Sequence, residues 1–308
     1  MYKYNKIIVG LDHTEMDKDL ISAASDICTL SGSRVVYFVN VIRDVHLPEK
    51  VQKEFPDLLD RAIADRKKEL ETIISEGFSC QDVEVVIHVM VDQGQVTKSI
   101  LNFTTKEKID LVILGRKNER KGGGVLINRV ARRVGCSLLI LPKGTRIDMS
   151  NILVATDYSE YSKSAMEKAV SLAKKSKTAE HIMVQNVYQV PVGYHYTGKS
   201  FDEFGDIMKD HAKKDYQKFV SDIDFGELKV KEIYSLDKDD DIISDIHRES
   251  KRRKASLIVI GAKGRTATTA LFIGSKAEKL IQVNSAIPML VVRPKNKKAG
   301  ILDYIKEL

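Results

Sequence analysis

Between Leu257 and Ser275 the sequence reads LIVIGAKGRTATTALFIGS, and this stretch is well suited to gripping an anion. Its apolar start, Leu257 to Ile260, is short and β-branched enough for a buried strand. Gly261 stops the run, Gly264 follows, and Gly274 and Ser275 close the stretch in the spacing G-x2-G-x9-G-S. A bare glycine lets the backbone approach an anion and offers its N–H with no side chain in the way. Ser275 stands where a helix over Lys276–Ile281 would begin, and a serine-capped helix N-terminus suits a phosphate. Lys263 and Arg265 put positive charge in the same loop.

A loop of this kind needs a rigid edge, and the rest of the sequence supplies one twice. Residues 6–12 read KIIVGLD and residues 151–157 read NILVATD, each a strand ending in an acid, Asp12 or Asp157. Each leads into an amphipathic helix, with Leu20, Ile21, Ala24, Ile27 and Cys28 on one face in the first copy. Ala165, Met166, Ala169, Leu172 and Ala173 do the same in the second. The second strands, Val35–Val41 and Ile182–Val187, both end in Asn-Val, at Asn40-Val41 and Asn186-Val187. Charged helical excursions follow over 49–76 and 200–221. Third strands lie at Val83–Val89 and Val230–Ser235, and fourth strands at Leu111–Leu114 and Leu257–Ile260. A further helix, Gln95–Lys108 or Asp239–Lys254, precedes each fourth strand, and the last strands are Ser137–Leu141 and Met289–Val292. Strands alternating with helices predict a parallel sheet covered on both faces, with ligands at the C-terminal strand ends. The acid, the Asn-Val pair and the glycines all belong to that edge.

The whole sequence resembles a tandem member of the universal stress protein family. The resemblance rests on the first-strand acid, the residue after the second strand and the Gly261-Gly264-Gly274-Ser275 set, in order in the second half. It implies an α/β fold of two tandem Rossmann-like (flavodoxin-like) domains, each a five-stranded parallel-type sheet with helices on both faces. Residues 1–143 would form a degenerate domain, 151–294 a nucleotide-binding domain, and 295–308 a tail and short docking helix. The implied ligand is ATP, with an accompanying Mg2+ left open. Val187 would present its backbone to adenine, and Asp157, beside Ala155 and Thr156, would sit near adenine or ribose. Ile260 leads into the loop, Gly261 and Gly264 would wrap the phosphates, and Gly274 and Ser275 would close the site. Lys263 and Arg265 would neutralise charge. The family further implies intramolecular pairing of the two domains, a homodimer as another option, and a protein partner not named by the sequence. The implied role is ATP-binding regulation of stress physiology. The alternatives are an interaction protein without nucleotide and a slow ATP hydrolase.

The first copy keeps Asp12, Val41 and Gly115 but lacks G-x2-G. At a constant offset Gly274 meets Asn128 and Ser275 meets Arg129. A register anchored on the last helix and strand instead puts Gly124-Val125 at the glycine-serine place. Either way the hydroxyl is lost. Arg116, Lys117, Arg120 and Lys121 make that loop cationic. Gly193–Ser200 fits G-x4-G-K-[ST], but four residues separate it from its strand, and no metal-binding acid ends the fourth strand, so coincidence is the reading. Lys251–Lys254 reads as a solvated helix end rather than a nucleic-acid patch.

With 43% hydrophobic and 30% charged residues and a net charge of +7, the composition is that of globular material with both signs mixed. No apolar run approaches the about 20 residues of a membrane helix, and no signal peptide opens the sequence, so a cytoplasmic protein is expected. Cys28, Cys80 and Cys136 make no metal pattern and are expected reduced and structural. No catalytic Ser-His-Asp or Cys-His set stands out.

Overall fold

The computed structural model describes residues 3–43, 48–92, 96–117, 124–265 and 273–294. The tail from 295, the loop cations Arg120 and Lys121, Gln95, and Asn118, which a constant offset sets against Gly264, lie outside these residues. The molecule divides into two compact units, one ending at Arg146 and the other starting at Ile147.

In the N-terminal unit β1 (Lys6–Leu11), α1 (Met16–Ser31), β2 (Val35–Arg43), α2 (Glu49–Glu54) and α3 (Leu58–Gly77) come first. Then follow β3 (Glu84–Asp92), α4 (Val96–Lys106), β4 (Leu111–Arg116), α5 (Val125–Arg133) and β5 (Ser137–Pro142). The strand order is β3-β2-β1-β4-β5, all parallel. The C-terminal unit repeats it with β6 (Asn151–Thr156), α6 (Glu160–Ala173), β7 (His181–Tyr188), α7 (Phe201–Val220) and β8 (Lys229–Leu236). Its second part is α8 (Ile242–Arg252), β9 (Leu257–Gly261), α9 (Ser275–Val283) and β10 (Met289–Val292), in the order β8-β7-β6-β9-β10. Five parallel strands per unit, as the alternation predicts, force right-handed crossovers. The path winds outward over β1-β2-β3 and then returns to β4, so α1 and α3 pack together while α4 and α5 pack together on the opposite face.

Burial follows from that layering. Strand β9, flanked by β6 and β10 in its unit, is apolar and buried at every residue, and β5 and β10 are buried throughout as well. Strand β8, outermost in its unit, instead carries exposed Lys229, Lys231 and Glu232. Helix starts are set by local chemistry. The Ser159 hydroxyl caps α6 by accepting from the Ser162 amide at 3.3 Å. Ser200 and Glu203 form a reciprocal capping box on α7. The Asp241 carboxylate caps α8. The excursion over 49–76 is two helices rather than one, broken at Phe55–Asp57, where Pro56 cannot donate to a helical ladder.

The returning crossover leaves β1 beside β4 and β6 beside β9, and there the order of strands reverses. The crevice beyond those paired ends is where such sheets hold ligands. In the C-terminal unit it opens past Ala155 and Ile260, which face each other across the ladder.

Candidate functional site

The acid predicted at this edge is the post to which the glycine loop is tied. Asp157 Oδ1 accepts from the Ser159 amide at 3.1 Å and the Ser162 hydroxyl at 2.6 Å. Its Oδ2 accepts from the Arg265 amide at 2.9 Å, reaching from the β6 end to the β9 loop. The Arg265 Nε donates to the Asp157 carbonyl oxygen. Gly264 must be bare for this approach, because a Cβ there would lie 2.6 Å from Asp157 Oδ2. Burial alone would raise the Asp157 pKa, but the bonds from Ser159, Ser162 and Arg265 prevail and hold it below the ordinary 3.8.

Tyr158 follows with φ 62°, a sparsely populated conformation for a non-glycine residue. Its amide donates to Thr156 Oγ1 at 3.0 Å, and its ring packs on Phe219 at 5.3 Å. The Arg265 guanidinium lies 5.9 Å over the same ring. The Tyr158 hydroxyl is buried with no hydrogen-bond partner among the described residues, and burial pushes the phenol pKa upward.

The second wall is the start of α9. The Gly274 amide donates to the Ala262 carbonyl at 2.8 Å, and a Cβ on Gly274 would stand 3.3 Å from Lys263 Cα. The helix begins differently from the sequence expectation: Gly274 is the N-cap and Ser275 the first helical residue. Ser275 therefore does not spend its hydroxyl on capping. It is exposed and has no hydrogen-bond partner among the described residues. Of the two cations, Arg265 is exposed, whereas Lys263 is buried at 5% exposure.

Ala155, Thr156 and Ile260 form the floor at the strand ends. Val187 sits half-buried near the end of β7, held level with them because Asn186 Nδ2 donates to the Thr156 carbonyl at 3.0 Å. Gly261 is different. A Cβ there would lie 2.8 Å from the carbonyl carbon and oxygen of Tyr161, so its bareness serves the packing of α6 on β9. Sequence reasoning missed Ser162 and Tyr158. The signal for Ser162 was its register with Asp17 in the first copy, five residues after the acid in both.

The N-terminal edge is built alike and closed differently. Asp17 accepts from the amides of Asp12 and His13 at 3.0 and 2.9 Å, and His13 has φ 60°, matching Tyr158. Burial raises the Asp17 pKa. Asp12 accepts from Thr14 at 2.7 Å and pairs with Lys117 Nζ at 2.6 Å. Helix α5 starts from Gly124 as α9 does from Gly274, which selects the second of the two registers and puts Val125 in the place of Ser275. This rim offers an apolar side chain where the other offers a hydroxyl.

The G-x4-G-K-[ST] match folds as a 3₁₀ turn over Tyr194–Thr197 leading into α7, where Ser200 is engaged with Glu203. Arg252 and Arg253 of the basic run are paired with Glu249. No group of His, Cys, Asp or Glu that could hold a metal occurs among the described residues. Nor is any described helix long and apolar enough to cross a membrane.

The sequence pattern of the universal stress protein family matches residues 3–142 and again 149–293. The protein belongs to the universal stress protein family. Universal stress protein YxiE of Bacillus subtilis (strain 168) is 26% identical over 147 residues, 47% of this sequence and 99% of its own. A solved structure assigned to the universal stress proteins of Pseudomonas aeruginosa UCBPP-PA14 aligns over 99% of this sequence and 98% of its own, with a TM-score of 0.65 and 16% identity. A universal stress protein from Archaeoglobus fulgidus DSM 4304 aligns over 95% and 99%, with a TM-score of 0.56 and 15% identity. At these identities the two structures speak for the fold of a universal stress protein with two repeats, not for a ligand.

Proposed function

We propose that the C-terminal unit binds ATP and that the protein is a cytoplasmic, nucleotide-binding regulator of stress physiology. The observation that carries this reading is the tie between Asp157 and the Gly264–Arg265 turn, set against the start of α9, where the Ser275 hydroxyl has no partner among the described residues. A helix N-terminus and bare backbone favour a phosphate, and a cation on the rim adds charge. Gly264, Gly274 and Ser275 would hold the phosphates, with Arg265 outside and Lys263 behind. The backbone at Val187 would meet the adenine edge. Asp157 Oδ1 is taken up by Ser159 and Ser162, while Oδ2 takes the Arg265 amide and has a second acceptor direction, which we assign to a ribose hydroxyl. Hydrolysis is not part of this reading, because the acid at the rim is occupied in holding the loop.

Isothermal titration with ATP should give one site per protein molecule, and acid extraction of purified protein should release adenine nucleotide. Gly274→Val drives a branched side chain against the backbone of Lys263 and Gly264 in the proposed cradle and should weaken ATP at least about tenfold, or about 1.4 kcal/mol. Two equivalent sites would contradict assignment to the C-terminal unit, and absence of ATP binding by well-folded protein would end the reading.

Lys199→Ala separates this site from the rival loop. Its binding isotherm should overlay that of the parent protein, since Gly193–Ser200 is a capped helix entrance. A large loss of affinity would move the phosphates to that segment.

A further inference from the structure

The N-terminal unit sets two thiols beside each other. The segment after α3 runs along α1 as a series of steps. A Cβ on Gly77 would lie 3.2 Å from Ile21, the Ser79 amide donates to Ser25 Oγ at 3.0 Å, and Thr29 Oγ1 donates to Cys80 Sγ at 3.7 Å. The Phe78 ring anchors the segment edge-on against Phe38 at 5.4 Å. These contacts lay Cys80 against the turn of α1 that carries Cys28 and Thr29, near enough for the two thiols to influence each other's charge. Both are free thiols. Cys28 is fully buried, whereas Cys80 is half-buried.

We propose that Cys28 and Cys80 are a redox modification site, converted to an intramolecular disulfide by a low-molecular-weight disulfide of the oxidised-glutathione class. The order of events follows from exposure. Cys80 loses its proton to solvent and its thiolate attacks one sulfur of the small disulfide. That S–S bond breaks and the first small thiolate leaves, taking up a proton. The mixed disulfide now on Cys80 faces Cys28. Cys28 gives up its proton, forms the S–S bond to the Cys80 sulfur, and displaces the second small thiolate, which is protonated in turn. Two protein thiols are oxidised and one small disulfide is reduced to two thiols, so electrons and protons balance.

Burial pushes the Cys28 thiol up to about 12, so it reacts poorly with reagents in solution and depends on a partner held beside it. The closed bond would fasten the α3–β3 connection to α1, constraining the unfolded state of the N-terminal unit. This inference is independent of the nucleotide site, which lies in the other unit.

The intact protein is incubated with oxidised glutathione, quenched in acid, alkylated under denaturing conditions and mapped without reduction. The expected product is the Cys28–Cys80 cross-linked peptide pair, with Cys136 still alkylated and a thermal midpoint several degrees higher for the N-terminal unit. Cys28→Ala should stop at the glutathione adduct on Cys80, and Cys80→Ser should leave Cys28 alkylatable. Because Cys28→Ala opens a cavity, Cys80→Ser on the half-buried side serves as the variant expected to fold normally. A stable glutathione adduct on Cys80 in the parent protein, with Cys28 still reduced, would overturn the proposal. So would a native protein whose two thiols resist the reagent while the denatured protein reacts.

Discussion

Gly261→Val should destabilise the C-terminal unit by about 3 kcal/mol, the scale of overpacking against an interior that cannot relax. The cause is steric and lies in the backbone. The new Cβ would stand 2.8 Å from the Tyr161 carbonyl carbon and oxygen and 3.0 Å from the Ser162 nitrogen, all in the first turn of α6. Helix and strand would have to separate, and the helix carries buried Ala165, Met166 and Ala169 into the same interface. Gly115 is the counterpart in the first unit, but there the atoms in the way belong to the Met16 side chain, with Sδ at 2.5 Å. A thioether can swing aside, so Gly115→Ala should cost only about 1 kcal/mol. Hydrogen exchange read by mass spectrometry follows each unit separately and checks both. Full protection of β6, β9 and α6 in Gly261→Val would contradict the argument. A loss of ATP binding in that variant would follow from unfolding, so Gly274 is the cleaner probe of the proposed cradle.

Asp157→Ala should release the glycine loop. Three donors lose their acceptor at once, namely the Ser159 amide, the Ser162 hydroxyl and the Arg265 amide. At about 1 kcal/mol for each bond, and more where the acceptor is charged, the local loss is about 3 kcal/mol. The Arg265 amide should exchange with solvent far faster, and ATP affinity should fall by more than tenfold if the loop forms the phosphate cradle. Unchanged protection at Arg265 would show that the loop stands without the carboxylate. Proton linkage gives a second check. The folded carboxyl is held below 3.8, so its contribution is intact above that pH and is lost as the pH falls through the lower folded value. Asp17 runs the other way. Its folded pKa is raised by burial, so its share is complete below 3.8 and is lost as the pH rises through the raised value. Acid titration should therefore loosen the Asp157 loop while the Asp17 position gains.

The architecture was legible because its signals are periodic and doubled. Apolar runs such as Leu257–Ile260 can only be central strands once helices flank them, and the repeat of KIIVGLD as NILVATD fixes their parallel order. What stayed hidden depends on which atoms meet. Gly261 and Gly264 look alike in a sequence, yet one faces the Tyr161 backbone and the other the Asp157 carboxylate. Ser275 looks like a cap, but it is the first helical residue, and the cap position belongs to Gly274, which offers no side chain. The Asp157–Arg265 tie joins residues far apart in sequence, so spacing cannot announce it. Tyr158 carries no compositional hint of its left-handed backbone, which only the matching His13 in the other unit makes intelligible.

One small device recurs in both units and separates what is fixed in them from what can drift. Asn40 Nδ2 donates to the Leu11 carbonyl at 2.9 Å, and Asn186 Nδ2 does the same to Thr156 at 3.0 Å, both out of reach of water. Each amide clips neighbouring strand tips at the last rung of the ladder, so neither tip can slide or fray outward. Everything before the clip is thereby insulated from whatever replaces the loops after it. The two mouths can exchange serine for valine, or a loop amide for a lysine, without the disturbance travelling back into the sheet. A protein of this plan can hold one mouth for a ligand and give the other over to a different task on an identical frame.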